Sequence, residues 1–347
     1  MSLIGKRMNT DISTRTLPRR DFLGLSIAGA TGLYASGLTG RSRAAEATIS
    51  VPALPDQPPQ GSLRVCFFTD AHLPGPHTHE HDRGGSISNA ELHYQERIRR
   101  AFDKANALNP AVYIFGGDNV FAVDQGNSEE NAKAQFERWQ TVVKEKVSVP
   151  YYSLIGNHDI WHGPTPKAMA LEAYGMPHRY YAWKMGGWKF IMLDVFGGDG
   201  KLDVNSEQSN WLIGELEKQE DREPVCVVTH APLAGMTAQH VGGSVGGVGF
   251  DYRVFFYKHP QIRLALSGHQ HMVDCCRLDR VTYICGGAVC GGWWEGDYQH
   301  FAPVFLIFDL KPDGTFDHQE IYYEHDHPGP YHEKVFPVAQ HRDLYNK

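Results

Sequence analysis

From Leu63 onward the chain alternates two kinds of apolar pattern. Short runs of β-branched and aromatic residues, RVCFFTD (64–70), AVYIFGGD (111–118) and VCVVTH (225–230), read as buried strands. Between them lie segments with apolar residues at helical intervals. Leu92, Ile98, Phe102 and Ala105 mark a helix over 89–108 that stops before Asn109-Pro110, and 131–147 and 205–218 read as two more. YYSLIGNHD (151–159) is a further strand, and YYAWKMGGWKFIMLD (180–194) folds back at Gly186-Gly187 as a hairpin. The remainder is mostly strand: IRLALSGHQH (262–271), MVDCC (272–276), VTYICGGA (281–288) and PVFLIFDL (303–310). Strand and helix in alternation, then a β-rich second half, predict an α/β fold with sheets covered by helices.

The strands share one feature that periodicity does not require. RVCFFTD runs into Asp70-x-His72, AVYIFGGD ends in Asp118, YYSLIGNHD ends in Asn157, His158 and Asp159, VCVVTH ends in His230, and LALSGHQH ends in His269-x-His271. One such ending is a turn, since Gly, Asn and Asp favour turns. Five endings of one kind, at the carboxyl edge where open α/β sheets bind ligands, point to a site. Carboxylate and imidazole donors suit divalent Mn, Fe, Zn or Co, and an aspartate can bridge two such ions. Spacing alone does not assign which residue meets which ion.

Bulk composition agrees with a globular enzyme. The chain has 347 residues, 41% hydrophobic and 12% aromatic, with 19 histidines as the outlier. Residues 1–47 carry seven basic against three acidic side chains, a net of +4; the whole chain is −7, so the remainder is −11. So acidic a protein is a poor general binder of nucleic-acid polymer or anionic membrane. Arg19-Arg20, Phe22-Leu23, a weakly apolar stretch to Gly40 and Ala45-Glu46-Ala47 resemble a twin-arginine export signal with its cleavage site. The expectation is a periplasmic or secreted protein that meets the twin-arginine translocation machinery and keeps no membrane span after cleavage. The glycines and hydroxyls of that stretch weaken the competing reading as a membrane anchor. A Pro-rich linker follows at 48–61, then one domain over 62–325 and a tail at 326–347. Six cysteines in an exported chain leave disulfides open, one bridge among Cys275, Cys276, Cys285 and Cys290 included.

Taken in order, Asp70-x-His72, Gly117-Asp118, Gly156-Asn157-His158-Asp159, His230 and Gly268-His269-x-His271 resemble the signature of the calcineurin-like metallophosphoesterases, over about Leu63 to Leu310. Each motif is short; the ordered set is specific. The resemblance implies a β-sandwich flanked by helices, four layers α/β/β/α. It implies two divalent ions, one held by Asp70, His72 and His271, the other by Asn157, His230 and His269, with Asp118 between them. Hydrolysis of a small phosphodiester or phosphomonoester through a metal-bound hydroxide follows from the same resemblance. His158 is then the candidate acid and Asp159 the support for a ligating histidine. Purple acid phosphatases are similar but place a tyrosine three residues after the bridging aspartate; here that residue is Phe121, which shifts the reading toward phosphodiesterases. A noncatalytic metal-binding or scaffold member of the fold is the alternative, and retention of every expected ligand together with His158 counts against it.

Three weaker candidates could meet substrate: His77 in HLPGPHTHEHDRGG, where a solvated loop is the commoner reading, and Trp293 and Trp294 in GGWWEGDY, for which packing under the loop is the equal alternative. Exposed tryptophans beside a cleft can stack on a base or sugar. The glycine-rich 242–250 lacks the pattern of a phosphate-binding P-loop.

Overall fold

A computed structural model describes residues 54–55, 57–75, 91–123, 128–203, 206–217, 223–241 and 252–324. The export signal, the start of the linker, His77, the glycine-rich 242–250 and the tail at 326–347 lie outside the described residues. The fold is that of the unit Pro52–Lys347.

In chain order its elements begin β1 (Leu63–Phe68), α1 (Glu91–Asn106), β2 (Val112–Phe115), α2 (Glu129–Lys146), β3 (Tyr151–Ser153) and α3 (Ala168–Tyr174). Next come β4 (Tyr181–Met185), β5 (Trp188–Leu193), α4 (Ser206–Glu217), β6 (Val225–Thr229), α5 (Met236–Val241) and α6 (Tyr252–Lys258). The chain then runs through β7 (Ile262–Ser267), β8 (Val273–Leu278), β9 (Val281–Gly286), β10 (Val304–Leu310) and β11 (Phe316–Tyr322). Two mixed sheets result, ordered β11-β10-β1-β2-β3 and β4-β5-β6-β7-β9-β8.

Alternate residues of the strands sort into two cores, as the two-residue period of a strand demands. Val65, Phe67, Ile114, Phe190, Met192, Val228, Leu266 and Phe308 form one core from both sheets. The opposite faces meet helices. Cys66, Phe68, Tyr113 and Phe115 join Ile98 and Phe102 of α1 and Phe136 and Trp139 of α2, while Ile191 and Val227 join Leu212 and Leu216 of α4 and Phe256 of α6. The predicted α/β sandwich, two sheets flanked by helices, is therefore the fold observed.

Differences from the sequence expectation are local. Helix α2 starts two residues early because Ser128 caps it, its side chain accepting Asn131 N–H at 3.1 Å. Strand β3 stops at Ser153, and Asn157–Asp159 forms a 3₁₀ turn. The hairpin turns as predicted, with φ of 59° at Gly186 and 79° at Gly187, the left-handed pair that a two-residue loop requires. Helices α3, α5 and α6 have seven, six and seven residues, too short to show a period. Edge strand β11, FDHQEIY, places polar residues on both faces among Phe316, Ile321 and Tyr322, so it lacks the apolar run or clean alternation that marks a strand. Among the described residues no helix is long and apolar enough to cross a membrane. All six cysteines stand as free thiols, so no bridge forms among Cys275, Cys276, Cys285 and Cys290.

Candidate metal centre

Strands β1, β2 and β3 run parallel, as do β6 and β7, so their polar endings emerge on the same edge of each sheet. The chain turns sharply there. Asp70, His72, Asp118, His269 and His271 all adopt positive φ, between 40° and 71°. Non-glycine residues avoid this region at a cost of about 1–3 kcal/mol each, and such strain gathers where function over-determines the backbone. The glycines of the motifs serve a different need, close approach. A Cβ on Gly156 would lie 2.1 Å from Asp118 Oδ1, and one on Gly268 would lie 2.2 Å from Asp70 Oδ2.

Three imidazoles are oriented in the same way. His72 Nδ1 donates to Phe121 O (3.2 Å), His230 Nδ1 to Gly116 O (2.7 Å) and His271 Nδ1 to Gly291 O (2.7 Å). Carbonyl acceptors require N–H donors, so each ring is left with Nε2 free to ligate. The Nε2 atoms converge: His72 and His271 are 3.0 Å apart, His271 is 3.4 Å from Asp70 Oδ1, and His230 is 3.0 Å from Asp118 Oδ2. Asp118 Oδ2 is also 3.6 Å from His72 Nε2, which places this carboxylate between the two imidazoles. Asp70 is held by Thr69 Oγ1 at 2.6 Å and by His269 N–H at 2.9 Å.

These donors fit metal ions. His72–Asp118–His158 and Asp118–His230–His269 each bring three ligand atoms within 4.8 Å of one another, and Asp118 belongs to both sets. Among the described residues, Asn157 Oδ1 is buried without a hydrogen-bond partner, a costly state that a cation relieves. The electrostatics of the bare site agree. Burial raises the Asp70 carboxyl, but His230, His271 and His72 outweigh it and hold the group well below its usual range; Asp118 is lowered in the same way. Burial lowers His230, yet Asp118 and Asp70 bring it up to about 9. His271 also lies well above its ordinary value, its burial offset by Cys290 and Asp70. His72 and His269 are driven down to about 4, chiefly by burial.

The structure gathers Asp70, His72, Asp118, Asn157, His158, Asp159, His230, His269, His271 and Trp293 around this edge, with one change of role. Asp159, expected to steady a ligating histidine, touches none. Its Oδ2 accepts N–H from Asp118 and Gly156, both 2.8 Å, and its Oδ1 accepts from Asn119 (3.1 Å), Val120 (3.3 Å) and Tyr174 Oη (2.6 Å). It ties the Asp118 loop to the Asn157 turn through backbone. Burial first, then the Asp118 charge, pushes this carboxyl up to about 6, against the pull of its donors. Trp294, a candidate either to meet substrate or to pack under the loop, does the second: it is 1% exposed, and its Nε1 donates to His72 O at 2.9 Å. Consecutive left-handed residues at 293 and 294 send the two rings different ways. Trp293 remains half-buried, its ring 4.5 Å from His271 and 5.9 Å from His72.

His158 is half-buried with its ring 4.8 Å from that of His72, and its N–H donates to Asp118 Oδ1 at 2.8 Å. Phe121 lies edge-on to His72, 6.5 Å between ring centres. Sequence reasoning missed Cys290, which falls within 4.8 Å of His72 and His271, and Phe196, whose ring is 5.7 Å from both His230 and His269. Neither belongs to a spaced motif, so no local signal marked them.

Residues 63–273 match the calcineurin-like phosphoesterase family, and the chain belongs to it. A probable cyclic nucleotide phosphodiesterase of Synechococcus sp. is 26% identical over 228 residues, 64% of this chain and 81% of that protein. A 3',5'-cyclic-nucleotide phosphodiesterase of Nostoc sp. is 24% identical over 198 residues, 54% of this chain and 71% of its own. In structure, a dimetal phosphatase from Danio rerio superposes with a TM-score of 0.55 at 12% identity, over 75% of this chain and 99% of that one. That likeness speaks for the fold alone.

Proposed function

We propose that this protein is a phosphodiesterase that hydrolyses a small phosphodiester, a cyclic nucleotide foremost, with two divalent ions (Mn, Fe or Zn). The observation that carries the reading is Asp118, shared by two converging ligand sets, its Oδ2 lying 3.6 Å from His72 Nε2 and 3.0 Å from His230 Nε2. Asp70, His72 and His271 would hold one ion, Asn157, His230 and His269 the other, with Asp118 between. When bound, such ions supply Lewis acidity toward water and phosphoryl oxygen. His158 stands beside His72 and is not one of the seven ligands; from there it can deliver a proton to the departing oxygen. Trp293 offers a half-buried ring next to His271 for a base or sugar to rest on. The relatives named as cyclic nucleotide phosphodiesterases favour the diester over the monoester. Export rests on the paired arginines and the Ala45-Glu46-Ala47 site, which would place the activity in the periplasm or outside the cell.

Hydrolysis of bis(p-nitrophenyl) phosphate, p-nitrophenyl phosphate and cyclic AMP by Mn-loaded protein, with Asp118→Asn as blank, tests the reading. Diester turnover above the blank supports it, and monoester preference overturns the diester assignment. Two bound metals with no turnover of any of the three would favour the noncatalytic reading.

A further inference from the structure

The turn after β9 touches three members of the site at once. Cys290 N–H donates to Asp70 O (3.1 Å), His271 Nδ1 donates to Gly291 O (2.7 Å) and Trp294 Nε1 donates to His72 O (2.9 Å). Val289 N–H adds a bond to Thr69 O at 3.0 Å. These three residues, Asp70, His72 and His271, are the set assigned to one ion. The other half is held elsewhere: His230 by Gly116 O, and the Asn157 turn by Asp159.

What holds the turn comes from two distant elements. Arg97 of α1, 2% exposed, pairs end-on with Glu324 through Nε (2.6 Å) and Nη2 (2.5 Å), and its Nη1 donates to Trp294 O. Its guanidinium also lies 5.2 Å from the centre of the Trp294 ring. Tyr323, next to Glu324, donates its hydroxyl to Val289 O at 2.6 Å. A bidentate arginine–carboxylate pair is geometrically exacting, and breaking one that is buried strands a charge. Arg97 and Tyr323 act on the turn through its backbone carbonyls, Trp294 O and Val289 O.

We infer that the Arg97–Glu324 pair is a positioning clamp that acts first on one ion: through the 289–294 turn it sets Asp70, His72 and His271, and it reaches the Asn157–His230–His269 half only indirectly, through the His269 N–H on Asp70 and the Asp118 loop. The inference rests on the two-ion reading above. It makes the two affinities separable by substitutions at a distance from both ions.

The test is metal binding, not turnover. Wild-type protein, Arg97→Met, Arg97→Lys and Trp294→Phe are stripped and titrated with Mn²⁺. Stoichiometry is read by elemental analysis and spin coupling by electron paramagnetic resonance. Outer partners of metal ligands typically change affinity about 10–100-fold. Arg97→Met should weaken one ion by that factor and the second by clearly less, replacing the coupled signal with that of an isolated Mn²⁺ at one equivalent. Arg97→Lys keeps the charge and should recover part of the loss. Trp294→Phe leaves the Arg97–Glu324 pair in place but removes the bond to His72 and one ring of packing, so it should show the same one-ion defect. Loss of both ions together in a folded Trp294→Phe protein, or unchanged affinity for both in Arg97→Met, overturns the clamp while the two-ion reading stands. Wild-type protein that binds only one ion overturns both.

Discussion

Asp159→Asn isolates the hydrogen bonds that join two of the site's loops. Asparagine has almost the shape of aspartate, so the substitution opens no cavity and only the donor–acceptor pattern changes. With the amide nitrogen at the Oδ2 position, it faces the N–H groups of Asp118 and Gly156, each at 2.8 Å. With the nitrogen at the Oδ1 position, it faces the N–H groups of Asn119 and Val120 at 3.1 and 3.3 Å. Either orientation strands two buried backbone donors, and at about 1–3 kcal/mol for each the loss is about 2–6 kcal/mol. For a domain of this size about 1 kcal/mol moves Tm by roughly 2–4 °C, so the variant should melt about 4–24 °C below wild type. The measurement is a calorimetric melt of both proteins in EDTA at pH 8, where a carboxyl pushed up to about 6 is ionised. EDTA removes any contribution from bound metal. A Tm within about 2 °C of wild type would refute the reasoning, because the donors would then be satisfied by something other than the carboxylate.

Further expectations concern protons, the acid and close packing. At pH 7 metal-free His230, at about 9, and His271, also raised, carry protons that a cation must displace, whereas His72 and His269, near 4, are already neutral. Loading should therefore release about two protons per chain, read by calorimetry in buffers of different ionisation enthalpy; release near zero would contradict this. Because its folded value exceeds the ordinary 6.5, His230 stabilises the metal-free fold fully below pH 6.5, and that share is lost as pH rises through about 9. His158→Ala should bind metal as wild type does and slow hydrolysis about 10²–10⁴-fold with a poor leaving group, and full activity there would remove His158 from the reaction. Gly268→Ala puts a Cβ 1.9 Å from Thr69 Oγ1 and 2.2 Å from Asp70 Oδ2, so it should cost about 1–3 kcal/mol and lower metal content. A variant of wild-type Tm and full metal load would show that the carboxylate moves aside freely.

Much of this protein is legible in local pattern. Two-residue and 3.6-residue periods arise from backbone geometry within a few residues, so β1, α1, β2, α2 and the β4–β5 hairpin could be read directly from the chain. The ligand types could be read too, because each stands where an apolar run ends, and parallel strands bring such ends to one edge. Roles that depend on partners far along the chain were out of reach. His72 and His271 meet across 199 residues, and Trp294 reaches His72 across 222. No spacing rule distinguishes Trp293, beside the ions' ligands, from Trp294, buried beneath them; two consecutive left-handed residues do. Asp159 looked like a partner for an imidazole and proved to be one for backbone amides, because the 3₁₀ turn aims it inward at the Asp118 loop. Residue chemistry and the succession of elements along the chain belong to the sequence. Which oxygen faces which nitrogen belongs to the tertiary structure, since a hydrogen bond is decided over tenths of an ångström, a scale that local periodicity does not resolve.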